Sequence, residues 1–144
     1  MHNIVDNIKM EQVLKPQLVV DTALESTAID TLGSENLAVT VMVGAIADVL
    51  SSSAKLDLKI EHSDDNVTYT ACTDTDVSNF SNLSSGVFVV IDDEAKEDTR
   101  YVVEYLGSKR YVRVTAVPTG LSTGGEIAML ALKANHAQKP VDNS

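Results

Sequence analysis

Apolar and polar residues alternate along much of the chain, and a period of two is the pattern of a half-buried β-strand. The alternation is clearest in NLAVTVMVG (36–44) and KLDLKIEHS (55–63), where every second residue is apolar. Shorter segments of the same kind, bounded by turn residues, predict further strands on both sides of Gly107 and at 17–22, 27–33, 67–71, 87–91 and 126–134. We find no segment with the spacing of a long amphipathic helix.

About eight short strands separated by polar turns are typical of an all-β domain. We therefore predict an antiparallel β-sandwich or jelly-roll-like barrel over residues 17–134. Its core must consist of Val, Leu, Ile and Ala, because aromatic residues make up only 4% of the 144 residues and Trp is absent. Residues 1–16 lack a sustained period and predict an extended N-terminal arm that orders against a partner. Residues 135–144 predict a polar C-terminal tail.

Residues 101–120, YVVEYLGSKRYVRVTAVPTG, contain two alternating runs around a glycine. This pattern predicts a β-hairpin in which Gly107 and Ser108 form a two-residue loop. The loop fixes the register, so that Val103 lies opposite Val112 in one sheet.

Three cations crowd the second run of this predicted hairpin. Arg113 is predicted to lie diagonal to Glu104, in an exposed ion pair that contributes at most about 1 kcal/mol. Lys109 and Arg110 are placed at the hairpin tip, where they remain solvated or contact another protein chain, since Arg and Tyr are enriched at interfaces. The candidate interface residues are Lys109, Arg110, Tyr105, Lys15 and Pro16.

The chain carries 21 acidic and 11 basic residues, which gives a formal net charge of −10. A body with this charge repels phosphate backbones, so we do not expect nucleic acid as a partner. No segment approaches the roughly 18 apolar residues of a membrane span, and the N-terminus lacks the basic and apolar regions of a signal peptide. We therefore expect no membrane partner and synthesis in the cytoplasm.

Side chains that could perform catalysis or bind a metal are few and scattered. His2, His62 and His136 lie in the arm, at a strand end and in the tail, without the spacing of metal ligands. Cys72 is the single cysteine, which excludes an internal disulfide. It could form a catalytic set with His62 and an aspartate only if the fold brought them together. We favour a loop cysteine and a partly covered, hydrogen-bonded His62.

Two polar segments have the chemistry of turns. Asp64 and Asp65 lack the spacing of a calcium-binding loop and are predicted to shape a turn. GLSTGG (120–125) resembles a phosphate-binding loop only in its glycine content, since no Lys-Ser/Thr pair and no helix follow it. We therefore predict no catalytic residues, no cofactor and no metal site.

Four segments, in their order along the chain, resemble a family of small virion proteins of tailed bacteriophages, the head decoration or cement proteins. The best matches are the turn at 62–70 and the segment at 105–114, and the resemblance covers about residues 14–140. The four segments are LKPQLVVDTALESTAIDTLGSENLAVTVMVG, LKIEHSDDNVTYTAC, VEYLGSKRYVRVTAVPTG and TGGEIAMLALKANHAQKP.

The resemblance implies a β-sandwich or jelly-roll body that binds the outside of an assembled icosahedral capsid and reinforces the head. The implied partners are the major capsid protein and further copies of the same chain, as a dimer or a trimer. The implied location is the outer surface of the virion. The family has no catalytic residues, so none is implied here. A strong negative charge suits a protein that stays soluble at high copy number.

Two other functions are compatible with the sequence. A tail protein or a head-to-tail joining protein of a virion would show the same strand pattern. A carbohydrate-binding β-sandwich module would need exposed aromatic side chains, for which the chain offers four Tyr and two Phe. We do not expect an enzyme, because no convergent set of catalytic residues is recognisable in the sequence.

Overall fold

The structure is a computed structural model that describes residues 3–137 and 141–143. It is all-β, as predicted. Within the described part, the helical segments are two single 3₁₀ turns, Asp74–Asp76 and Glu94–Lys96, and no helix there is long and apolar enough to cross a membrane. The strands are β1 (Lys9–Val19), β2 (Leu24–Glu25), β3 (Ile29–Asp30), β4 (Ser34–Ile46), β5 (Lys55–Ser63), β6 (Thr70–Ala71), β7 (Val87–Ile91), β8 (Thr99–Tyr105), β9 (Tyr111–Thr119) and β10 (Gly125–His136).

The strands form two antiparallel sheets. Sheet A has the order β1-β10-β4-β8, and sheet B has the order β2-β9-β5-β6, with β3 also paired to β9 and β7 also paired to β5. Because β2 and β3 pair with the same neighbour, as do β6 and β7, each pair can be counted as one interrupted strand. Eight strands then form two four-stranded sheets, and the chain changes sheet at every connection except the one between β5 and β6. This arrangement is of the jelly-roll type.

The inner faces of the two sheets supply one apolar core. The residues that alternation assigned to the inside of β4 and β5 are buried there, and the core consists mainly of Val, Leu and Ile, as expected. Each such side chain stabilises the fold by about 1.5–3 kcal/mol through removal from water. The side chains with no exposed surface include Val39, Val41, Leu56, Leu58, Ile60, Val103, Val112 and Val114.

The hairpin predicted for residues 101–120 is wrong. Its two strands lie in different sheets, since β8 pairs with β4 and β9 pairs with β5. Val103 therefore lies opposite Val39, and Val112 lies opposite His62. Alternation identifies the residues that face the core, but a hairpin and a connection between sheets bury the same residues. The sequence pattern therefore does not reveal which strand lies beside which.

The predicted N-terminal arm, residues 1–16, is too long, because β1 begins at Lys9 and pairs with β10 along the edge of sheet A. Register shifts interrupt this pairing on both sides of Leu14, and Pro16 lies in the irregular part. Pro has no amide hydrogen, and an irregular edge strand is a position where a sheet tolerates it. The irregularity also explains why the sequence shows no sustained period there.

The predicted C-terminal tail also loses two residues, because β10 continues to His136. Beyond β10, the side-chain amide of Asn143 donates to the carbonyl groups of Val5 and Ile8, at 2.9 and 3.0 Å. The described ends of the chain therefore contact each other. His2, which was predicted to lie in the arm, is outside the described residues.

The turn at 120–125 is held by the carboxylate of Asp48. Oδ1 accepts a hydrogen bond from the amide of Ser122 at 2.9 Å, and Oδ2 accepts from the amides of Thr123 and Gly124 at 3.0 and 2.6 Å. The Ser122 hydroxyl and these amides hold the pKa of Asp48 well below its usual range. The segment is a turn, as predicted, and its amide groups bind a carboxylate of the same chain.

Gly124 and Gly33 both have a positive φ, of +74° and +85°, but their surroundings differ. A Cβ at Gly124 would lie 1.9 Å from the carbonyl oxygen of Val19, whereas a Cβ at Gly33 would meet no atom within 4 Å. We expect Gly33→Ala to lower the free energy of unfolding by about 1 kcal/mol through its backbone conformation alone. We expect Gly124→Ala to lower it several times more, because β1 must move. Urea unfolding measures both losses, and equal losses would contradict the packing of β1 against this turn.

Candidate interaction surface

The cations predicted at a hairpin tip are bound to groups of the same chain. Arg110 forms a bidentate pair with Asp30, with Nε 2.9 Å from Oδ1 and Nη2 2.8 Å from Oδ2. The hydrogen bonds from Arg110 lower the pKa of Asp30 to about 2. Nζ of Lys109 lies 3.3 Å from Oγ1 of Thr70 and 3.6 Å from Oδ2 of Asp64. Neither candidate cation is therefore an unpaired charge.

Arg113 is the centre of an ion network on the outer face of sheet B. Its Nε donates to Glu61 at 2.7 Å and its Nη1 donates to Glu25 at 3.2 Å. The guanidinium also lies 4.1 Å from the ring centre of Tyr69, in a cation–π contact. The predicted pair between Arg113 and Glu104 is wrong, because the two residues lie on strands of different sheets.

Ion pairs continue along β5 on the same face. Nζ of Lys59 lies 2.7 Å from Glu61, and Nζ of Lys55 lies 3.5 Å from Asp57. Burial opposes the ionisation of Glu61, but hydrogen bonds from Lys59 and Arg113 prevail and lower its pKa. The outer face of sheet B is therefore a polar face whose charges compensate one another.

The outer face of sheet A has the opposite character, and we call it the A face. Residues opposite each other in antiparallel strands share one face, so the strand register defines its rows from β1 to β8. Row 1 contains Met10, Leu132, Ala38 and Glu104, row 2 contains Gln12, Leu130, Thr40 and Val102, and row 3 contains Ala128, Met42 and Arg100.

Apolar side chains dominate the A face, where seven of the eleven residues in the three rows are aliphatic or Met. Met10 and Met42 are 42% and 43% exposed. The charged residues, Arg100 and Glu104, both lie on the edge strand β8. A contiguous exposed apolar surface indicates a site of contact with another macromolecule. The A face is therefore the candidate functional surface.

The sequence does contain a signal for the A face, in the segment EIAMLALKA (126–134). A strand with one solvated face alternates with polar residues, but this segment is apolar at both odd and even positions. The double pattern indicates a strand with a second contact face. Alternation alone predicts which residues of β10 face the core. It does not predict that the outer residues Ala128, Leu130 and Leu132 form a contact surface.

The remaining predicted interface residues lie in two different environments. Lys15 and Pro16 are exposed on β1, and Pro16 lines a shallow groove with Met42 and Ala128 of row 3. The side chain of Lys15 has no ion-pair partner among residues 3–137 and 141–143. Tyr105 is only 5% exposed and belongs to the core, so its assignment to an interface is wrong.

A polar cluster brings together the buried His62 and Cys72 and the half-buried Asp76. The atoms that could ligate a metal lie within 4.8 Å of one another. The sequence does not show this proximity, because it arises where β6 pairs with β5. Nδ1 of His62 lies 2.9 Å from Oη of Tyr105, so the expected hydrogen-bonded histidine is confirmed. Cys72 follows β6 and is buried, with 2% of its surface exposed.

Burial disfavours the charged forms of Cys72 and His62. It raises the pKa of Cys72 to about 12 and lowers the pKa of His62. A protonated thiol is a poor nucleophile, so the cluster is not an activated catalytic set. Oδ2 of Asp76 accepts hydrogen bonds from the amide and the hydroxyl of Thr73, at 2.8 and 3.0 Å. A metal ion could be ligated by His62, Cys72 and Asp76 only with loss of the thiol proton.

Protonation of His62 is expected to weaken the fold. Its pKa is about 6.5 in an unfolded chain and is lowered by burial in the folded chain, so the unfolded state binds more protons as the pH falls. This contribution to stability is present above about pH 6.5 and is lost below it. We expect the free energy of unfolding to decrease between about pH 7.5 and pH 5.5, and to decrease less in His62→Gln.

The control for this experiment is Tyr105→Phe, which removes the hydrogen bond to Nδ1 but keeps a buried imidazole. This variant is expected to be less stable at every pH while it retains the pH dependence of the wild type. Urea unfolding at several pH values measures both effects. An identical pH dependence in the wild type and in His62→Gln would show that His62 is not responsible.

No family model matches the sequence, and no curated protein matches it. Among solved structures, the SPBc2 prophage-derived protein YomS is similar, with a TM-score of 0.56 and 12% identity over 94% of this chain and 99% of that chain. A chain from the Bacillus endospore appendages, described as a novel family of disulfide-linked pili, has a TM-score of 0.46 and 15% identity over 93% of this chain and 94% of that chain. At 12% identity, the similarity to YomS shows a shared fold.

Proposed function

We propose that this chain is a structural protein of a bacteriophage virion, a head decoration protein that binds the outer surface of the capsid and stabilises the head. Its partners in this proposal are the major capsid protein and other copies of the same chain. The observation that carries the proposal is the shared fold with a prophage-derived protein, which extends over 94% of this chain and 99% of that chain.

The surfaces of the molecule support a function in binding. The outer face of sheet B carries mutually compensating ion pairs, and the net charge of −10 favours solubility at high concentration. The A face, by contrast, exposes apolar side chains that contact with another protein would cover. A decoration protein needs both properties, because it accumulates as a soluble protein and then makes contacts with other protein chains.

Two alternative functions receive less support. Catalysis is disfavoured because the thiol of Cys72 is buried and protonated, and we propose that the protein is not an enzyme. Carbohydrate binding is disfavoured because the tyrosine rings are already engaged: Arg113 covers Tyr69, Arg110 lies 5.0 Å from the ring centre of Tyr111, and the hydroxyl of Tyr101 donates to the carbonyl of Lys96. A flat platform of free aromatic rings is the usual feature of a sugar site.

We place the contact with the capsid at the β1 edge of sheet A. An edge strand presents backbone groups that a partner strand or loop can pair with. The edge also carries Lys15, which has no ion-pair partner within the described chain. Each contact can be weak, since an oligomer that engages several capsid subunits gains effective concentration for every further contact.

Cosedimentation of the purified protein with expanded, undecorated capsids of the encoding phage tests this proposal. We expect saturable binding by the wild type and several-fold weaker binding by Lys15→Glu, because the substitution reverses the unpaired charge on the β1 edge. Lys96→Glu is the control, since Lys96 lies in the loop after β7 and pairs with Asp92.

The outcomes of this experiment separate the possible functions. Failure of the wild type to bind capsids would exclude the decoration role, and equal binding by Lys15→Glu would exclude the β1 edge as the contact. Electron microscopy of particles that carry labelled protein distinguishes the alternative of a tail or head-to-tail joining protein, for which the label would lie at the tail or the neck.

A further inference from the structure

We propose that the A face binds the A face of a second copy, and that the two copies form a symmetric dimer whose twofold axis runs along row 2. The proposal specifies the contact between copies that the proposed function includes, and it does not depend on capsid binding, because the dimer requires no capsid. It commits the apolar face to self-association, whereas the contact with the capsid was placed at the β1 edge.

The A face is large enough for such a dimer. Four strands spaced about 4.8 Å apart give a width of roughly 19 Å. Pairing along β4 extends from Ser34 to Ile46 with β10 and from Leu37 to Val43 with β8, or about 24 to 41 Å. The face therefore covers roughly 450 to 780 Å² per copy, and two copies bury about 900 to 1,600 Å². This area reaches the lower end of specific interfaces, so we expect a dimer that dissociates on dilution.

The charges on β8 make the A face complementary to itself. Rotation about an axis along row 2 places each strand over the same strand of the other copy and exchanges row 1 with row 3. Arg100 of each copy then lies over Glu104 of the other copy, so that two ion pairs border the interface. In the same way, Met42 lies over Ala38. The axis itself passes between copies of row 2, where no charged residue lies.

Arg100 also differs from the other arginines of the chain. Arg110 and Arg113 are paired with carboxylates, but the side chain of Arg100 has no ion-pair or hydrogen-bond partner in the part of the chain that the structure describes. Glu104 accepts a hydrogen bond through Oε2 from the hydroxyl of Ser78, and its Oε1 remains available to a second donor. An arginine at the border of an apolar face is typical of protein interfaces.

A second copy explains this arrangement better than an unrelated partner. Arg100 and Glu104 lie on the same strand, in the rows on either side of row 2, along which the proposed axis runs. A twofold interface requires this relation between two groups that pair across it. Two sheets that pack through such faces keep their strands within about 30° of each other, as in other sandwiches. An unrelated partner would need its own matching pair of charges at the same separation.

Sedimentation equilibrium of the full chain, supported by light scattering, tests the proposal. We expect a reversible dimer with twice the 15.4 kDa mass of the chain. Arg100→Glu and Glu104→Arg each place like charges over one another, and each is expected to raise the Kd of the dimer roughly tenfold or more. The double variant, Arg100→Glu with Glu104→Arg, restores opposite charges and is expected to return the Kd close to that of the wild type.

A second pair of variants tests the apolar part of the face. Leu130→Lys introduces a cation at the axis and is expected to abolish the dimer. Val117→Lys is the control, because Val117 lies opposite Asp57 on the outer face of sheet B. Circular dichroism establishes that each variant is folded, and the recovery of the dimer in the charge-exchange variant cannot result from misfolding.

The proposal is overturned if the wild type is monomeric at high concentration, if its mass is that of a trimer, or if the charge-exchange variant fails to recover the dimer. These outcomes are separate from those for the proposed function. If the protein is a monomer that binds capsids, only the dimer proposal is contradicted. If it is a dimer that does not bind capsids, only the decoration role is contradicted.

Discussion

The burial of the inner faces of the two sheets against each other is the interaction on which the other features of the molecule depend. In the middle of the sheets, β4 pairs with β10 and β5 pairs with β9 along nearly their full lengths. Successive side chains of a strand point to opposite faces of the sheet. When one set of alternate residues faces the core, the other set therefore forms the outer face. The ion network of sheet B and the A face of sheet A follow from this alternation.

The sequence predicts those features of the fold that depend on the alternation of apolar and polar residues. The strands β4, β5, β7 and β10 and the residues that face the core could be read from the sequence, since period two and apolar side chains are local properties. The neighbours of each strand could not, because they depend on connections that cross between sheets. The segment at 101–120 illustrates the difference, since its buried residues were identified but its two strands were assigned to one sheet.

The candidate site was less predictable, because it is made by register between distant strands. Lys109 and Arg110 form a cluster of charges in the sequence, but Asp64 and Asp30 compensate them from other parts of the chain. The A face gathers residues from β1, β4, β8 and β10, and only the doubly apolar pattern of β10 indicated it. His62, Cys72 and Asp76 also meet only through the fold, and the burial of Cys72 explains why their proximity does not make the thiol reactive.

The central claim is that a jelly roll with one compensated polar face and one apolar face associates with a second copy of itself through the apolar face. An isotope-filtered NOE experiment on a mixture of labelled and unlabelled protein tests this most directly, since it detects methyl groups of different copies that lie within about 5 Å, near van der Waals contact. The account predicts intermolecular contacts from Leu132 to Ala128 and between the two copies of Val102. Intermolecular contacts confined to other surfaces, or none at concentrations where the protein is dimeric, would contradict it.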